Sequence, residues 1–146
     1  MEEVIRLLTI DSDELYFSAA HWIPEHPQCG VLHGHTFYVK GLEVKVSGFV
    51  DFGDIKAAIK SFDHLTIVPE KDSTAWCDLL ERIKDDPLLS KLRKVFSKHR
   101  MIIDTDVPGT TVERIAEELK GQIEDIKGVV EAHFILTEGP SAGTEV

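Results

Sequence analysis

The stretch from Leu32 to Ser47 limits the possible folds of this chain more than any other. It opens on His33-Gly34-His35, runs through the β-branched and aromatic residues Thr36-Phe37-Tyr38-Val39, and then alternates Leu42, Val44 and Val46 with Glu43, Lys45 and Ser47. A period of two with one apolar side is the mark of a half-buried antiparallel strand. Residues two apart on a strand share a face, with Cα atoms ~6.6 Å apart at a rise of ~3.3 Å per residue, so the two imidazoles converge on one point. Such a strand needs a partner, and the residues before it supply one. Val4 to Ile10 and Tyr16 to His21 read as one long strand, or a strand with a bulge, that pairs with 32–47. Pro24, Pro27 and Gly30 mark the loop between them.

Pairing of this kind brings His21 alongside His33 and His35. A histidine pair at this spacing is, on its own, more often two strand histidines facing water than two ligands. Three imidazoles with one position left open are the donor set of a catalytic zinc site, whereas a structural zinc is expected to close its shell with cysteine. Cys29 lies on the loop just before His33. A thiol beside a dication has its pKa drawn down from about 8.5, so Cys29 is either a fourth ligand or a base.

With 146 residues the chain is expected to form one domain, 1–146, large enough for a core without disulfides. Its only two cysteines, Cys29 and Cys77, read as free thiols in a reducing, cytoplasmic compartment. No apolar run approaches the ~20 residues of a membrane span, and the start at Met1-Glu2-Glu3 has no positive signal-peptide opening. Sixteen Lys and Arg against 26 Asp and Glu give a net charge of −10 and no segregated basic patch, which argues against nucleic-acid and membrane partners.

Past Gly48 the period changes. Asp54 is positioned to cap a helix with Ile55, Ala58 and Ile59 on its apolar side, ending near Phe62. Residues 73 to 98 are charged and amphipathic, split by Pro87 into two expected helices. Met101-Ile102-Ile103 suggests a short strand. Thr110 or Thr111 precedes a helix from Val112 to Ile123, with Glu113 and Glu117 near its positive end. A strand from Val129 to Thr137 follows, with a short one possible at 142–146. Cys77 and His133 are expected to be structural, and His26 and His99 to face solvent.

Taken in order, Phe17-Ser18-Ala19-Ala20-His21, Cys29-Gly30-Val31-Leu32-His33-Gly34-His35, Gly48-Phe49-Val50-Asp51-Phe52 and Asp63-His64-Leu65 resemble the successive motifs of the 6-pyruvoyl-tetrahydropterin and 6-carboxy-tetrahydropterin synthase family. Thr111-Val112-Glu113-Arg114-Ile115-Ala116 is similar to its Thr-x-Glu-x-x-Ala helix start, and Thr137-Glu138 through Ser141-Ala142-Gly143 to its final segment. The chain departs from the family pattern where Thr66-Ile67-Val68 follow Asp-His-Leu and in a helical insertion around 69–99.

This resemblance implies an α+β tunnelling fold, a four-stranded antiparallel sheet with helices on one face, closed into a barrel by edge pairing in a homo-hexamer built as a dimer of trimers. It implies Zn2+ on His21, His33 and His35. It implies a catalytic set of Cys29, Asp63 and His64, with the last two reaching in from a neighbouring subunit. Glu138, helped by Thr111 and Glu113, would bind the amino-pyrimidine edge of a pterin triphosphate. The implied reaction is zinc-dependent conversion of 7,8-dihydroneopterin triphosphate to 6-carboxy-5,6,7,8-tetrahydropterin, a route to deazapurine nucleosides. The alternatives are the 6-pyruvoyl product, which leads to tetrahydrobiopterin, and a non-catalytic pterin- or purine-binding module stabilised by zinc. A compact chain rich in lysine and glutamate tilts the choice toward the carboxy branch. No His-Glu-x-x-His helix supports an unrelated zinc hydrolase.

Overall fold

The long strand predicted over 32–47 forms as β3 (His33–Ser47), and both halves of the preceding segment pair with its same edge. These are β1 (Ile5–Ile10) and β2 (Tyr16–His21), antiparallel to β3 with Ile5 opposite Ser47 and His21 opposite His33. The computed structural model describes residues 4–103, 109–140 and 142–146. Ser141, which belongs to the final-segment resemblance, lies outside them, as do residues 1–3. β6 (Val129–Glu138) covers the other edge of β3, and β7 (Ala142–Glu145) follows it antiparallel.

A four-stranded antiparallel sheet was the expectation, and the structure corrects it. Beyond β2 lie β4 (Leu65–Pro69) and β5 (His99–Ile102), both added in parallel, so that the sheet has seven strands and is mixed. All five residues of β4 are buried. Parallel pairing needs both faces covered, and residues 70–98 cover the second one. They form α2 (Ser73–Asp85), the four-residue α3 (Arg93–Phe96) and short 3₁₀ turns around them. Pro87 falls between α2 and α3, as predicted.

The main core lies between the sheet and two helices, α1 (Phe52–Lys60) and α4 (Val112–Glu124). Phe17, Phe37, Val39, Leu42, Val44 and Val46 point into it from β2 and β3. Val39 and Leu42 are three apart, which strict alternation forbids. Gly41 resolves this at φ +59°, where the register with β6 shifts between Lys40 and Glu43 and restores the inward face. α1 begins one turn earlier than the sequence suggested: Asp51, not Asp54, is the cap, its Oδ1 accepting the Gly53 amide at 2.8 Å. Gly143 sits where a Cβ would fall 2.2 Å from the Leu136 carbonyl oxygen, which lets β7 lie close against β6.

Phe37 is fully buried and stacks on Phe17 with ring centroids 5.0 Å apart. Phe37→Ala should therefore cost about 3–5 kcal/mol, read from the urea unfolding midpoint. A change below 1 kcal/mol would mean that this pair does not hold β2 against β3.

Candidate metal centre and active site

Antiparallel register decides which side chains meet. His21 lies opposite His33, and Ala19 opposite His35, so all three histidines share the face that carries Phe17 and Phe37. One ring nitrogen from each of His21, His33 and His35 lies within 4.8 Å of the others. Their ring centroids are 4.6, 5.1 and 4.9 Å apart. Among the described residues no cysteine joins that group of three, and the Glu138 carboxylate approaches two of them.

Hydrogen bonds set which nitrogen each ring offers. His21 Nδ1 lies 2.6 Å from the Thr110 carbonyl oxygen, and His33 Nδ1 lies 2.6 Å from that of Val31. A carbonyl can only accept, so both Nδ1 atoms carry the proton and both Nε2 atoms present a lone pair. His21 is fully buried and its Nε2 has no hydrogen-bond partner. Leaving a buried acceptor unmatched costs about 1–3 kcal/mol, a cost that a bound cation removes. The residues present thus fit a divalent metal favouring nitrogen donors. Burial pushes His21 down to about 4; the Thr110 hydrogen bond opposes this, and the neighbouring His33 and His35 add to it. At neutral pH the ring is therefore uncharged, the form that ligates.

Glu138 ends β6 opposite Phe37, which places its side chain on the same face. Its Oε1 is 3.8 Å from His21 Nε2 and its Oε2 is 3.8 Å from His35 Nε2. Thr111 is the N-cap of α4 and Glu113 stands exposed in its first turn, so the helix start predicted there is borne out. Thr110 is the residue that the sequence underrated. It is fully buried, its carbonyl holds His21 and its hydroxyl donates to the Trp22 carbonyl. Only the register of β2 against this loop reveals that role.

Cys29 is a half-buried free thiol on the loop between β2 and β3. His26, expected merely to face solvent, organises that loop: its Nδ1 accepts the amides of Gln28 and Cys29 at 3.2 and 2.9 Å. His26 is exposed, as expected, whereas His99 is half-buried with its ring 6.1 Å from that of Trp76.

Asp63 and His64 form a second polar pair. Asp63 Oδ2 lies 2.8 Å from His64 Nδ1, and its Oδ1 accepts the Ser18 amide at 2.8 Å. His64 adopts φ +60° and donates its amide to the Ser18 carbonyl, which ties it to the outer edge of β2. Its exposed ring lines an open groove of about 530 Å³ with Ser18, His35, Thr36, Thr66, Val95 and Phe96. Ser18 and Thr36 occupy the strand positions alternate to Ala19 and His35 and touch through their hydroxyls. Strand parity thus turns the Ser18 and Thr36 side chains away from the face of the histidines, while the groove that His64 lines reaches His35.

The chain matches the family model of 6-pyruvoyl tetrahydropterin synthase over residues 12–146. It is 34% identical over 125 residues to the "Putative 6-carboxy-5,6,7,8-tetrahydropterin synthase" of Methanocaldococcus jannaschii, spanning 76% of this chain and 72% of that protein. A protein of the same name from Pyrococcus abyssi is 30% identical over 145 residues, covering 89% of this chain and 84% of its own length. In fold the chain is similar to the crystal structure of 6-pyruvoyl tetrahydropterin synthase from Plasmodium vivax, with a TM-score of 0.59 at 17% identity over 98% of this chain and 97% of that one.

Burial opposes ionisation of Asp63, but the Ser18 amide, the His64 ring and Lys60 outweigh it and hold the carboxyl below its ordinary value. A lowered folded-state pKa stabilises fully above the unfolded value of about 3.9 and is lost as pH falls through the folded one. Asp63→Asn should thus be less stable than the parent at pH 7, with the gap narrowing as pH falls below about 3.9, by urea midpoints. A gap that stays constant with pH would rule out an ionised Asp63 as the source.

Proposed function

This chain belongs to the 6-pyruvoyl tetrahydropterin synthase family, and from that premise we propose that it is a zinc-dependent lyase converting 7,8-dihydroneopterin triphosphate to 6-carboxy-5,6,7,8-tetrahydropterin, with release of triphosphate and acetaldehyde. The observation that carries this reading is the convergence of three imidazoles around the buried, unpartnered Nε2 of His21. The names of the Methanocaldococcus and Pyrococcus relatives favour the carboxy product over the pyruvoyl one.

In this reading His21, His33 and His35 hold Zn2+, which supplies Lewis acidity toward the hydroxyls of the substrate side chain. Glu138 accepts two parallel hydrogen bonds from the amino-pyrimidine edge, fixing its orientation as well as its affinity; Thr111 and Glu113 at the start of α4 extend that contact. Cys29 takes a proton from the side-chain carbon beside the ring. His64 returns one on the other face, its ring oriented by Asp63 through Nδ1 so that Nε2 faces the substrate. Redistribution of protons into the ring and elimination of triphosphate leave a dicarbonyl side chain, and one water then cleaves its carbon–carbon bond: the ring-bound carbon becomes the carboxylate and the other two leave as acetaldehyde. In this reading His64 serves the centre of an adjacent copy, in a homo-hexamer arranged as a dimer of trimers. Two free thiols suit a reducing, cytoplasmic setting.

The test is incubation of the zinc-loaded protein with 7,8-dihydroneopterin triphosphate, followed by assays for acetaldehyde and triphosphate. Both should appear. Triphosphate without acetaldehyde would identify the pyruvoyl route instead, and neither would reduce the protein to a binding module. Cys29→Ala should keep its zinc and lose turnover by at least ~10²-fold, the usual contribution of a positioned acid or base.

A further inference from the structure

We propose that Thr110, Trp22 and Asp72 are positioning residues for the metal ligand His21, and that the segment following β4 serves to hold them. The inference rests on the reading of the histidine cluster as a metal centre. It follows from a chain of contacts that leads out of the centre, through the sheet end, to helix α2.

The first link is the Thr110 carbonyl, which takes the His21 Nδ1 proton at 2.6 Å and so points the Nε2 lone pair into the cluster. Were this carbonyl to move away, the proton could shift to Nε2 and the ring would cease to be a ligand there. The second link fixes that carbonyl. Thr110 is fully buried, and its hydroxyl donates to the carbonyl of Trp22, the residue after His21. Thr110 thus grips the end of β2 at two successive residues, one through its backbone and one through its side chain.

The third link anchors Trp22. Its indole Nε1 donates to Asp72 Oδ2 at 2.8 Å, and its ring lies 5.7 Å from that of Trp76, which is 7% exposed. Asp72 stands at the N-cap position of α2, where an aspartate ordinarily turns its carboxylate onto the helix amides. Here it makes no side-chain cap and takes the indole instead. Trp76 packs in turn against Phe96 with centroids 5.8 Å apart, which joins α2 to α3 around the same indole. None of these helices carries a metal ligand, yet their most buried aromatic sits against the residue next to one. Groups that orient a ligating histidine commonly set metal affinity within a range of ~10- to 100-fold.

The experiment is titration of the metal-free protein with Zn2+ and Co2+, following affinity and the visible Co2+ absorption spectrum in the parent, Thr110→Val, Thr110→Ser and Asp72→Ala. Thr110→Val keeps the volume and removes the hydroxyl; it should bind roughly 10- to 100-fold more weakly, with a changed Co2+ spectrum. Thr110→Ser, which retains the hydroxyl, should restore both. Asp72→Ala, at a half-exposed site, should weaken binding in the same direction by a smaller factor. If the parent binds but Thr110→Val binds equally well with the parent spectrum, the positioning role is overturned while the metal centre stands. If Thr110→Val does not fold, unchanged binding in Asp72→Ala overturns it. A parent protein that binds neither ion removes the metal centre and this inference together.

Discussion

The pairing of β2 with β3 is the constraint on which the rest of the molecule depends. With His21 opposite His33, every second residue of both strands falls on the helix-covered face: Phe17, Ala19 and His21 on one, His33, His35 and Phe37 on the other. A slip of one residue would exchange all of them for Ser18, Ala20, Gly34 and Thr36. The stack of Phe17 on Phe37 opposes that slip, since burying each ring is worth about 1.5–3 kcal/mol. The same register places one fully buried imidazole, with an unmatched nitrogen, beside those rings. An unmatched nitrogen costs about 1–3 kcal/mol, so the two phenyl rings carry the histidine inside before any metal arrives. Core packing and the candidate centre are thus one structural event.

The same pairing also bears on the polar pair at Asp63 and His64. Both residues hang from the outer edge of β2 through Ser18, whose amide and carbonyl they engage. Ser18 and Thr36, the alternate residues of the two strands, face the groove that His64 lines, and His35 borders that groove as well. The backbone of one strand residue, Ser18, thus fixes where the pair stands relative to the histidines.

Much of this was legible in the residues, and the failures have physical causes. The alternation of Leu42, Val44 and Val46, the His-Gly-His spacing and the start of α4 are local patterns, and each formed where expected. β4 and β5 were not foreseen as one parallel unit. Their residues make contact across about thirty positions of sequence, and five consecutive buried residues show no alternation from which to read a strand. The mixed sheet escaped for that reason. The Asp51 cap was missed because Asp51 and Asp54 are both acceptable at a helix start, and only φ and ψ distinguish them. Thr110 was legible as a helix start but not as a support for His21, since its partners lie 88 and 89 residues away.

The net charge of −10 bears on the triphosphate substrate proposed above. Formal totals matter only within the screening length, about 8 Å at physiological ionic strength. Two ammonium groups stand near the Asp63–His64 pair: Lys98 donates to the Asp63 carbonyl at 2.7 Å, and Lys60 lies over the Tyr16 ring at 3.8 Å and donates to the Tyr16 carbonyl. Lys60 also acts on the Asp63 carboxyl, while Lys98 is anchored on a carbonyl oxygen. Ion pairs such as Lys45 with Glu131 and Lys120 with Glu124 lie instead on β3, β6 and α4, where charge is neutralised locally. An acidic total therefore does not by itself exclude an anionic ligand, because the charge that acts on it is the charge within a screening length.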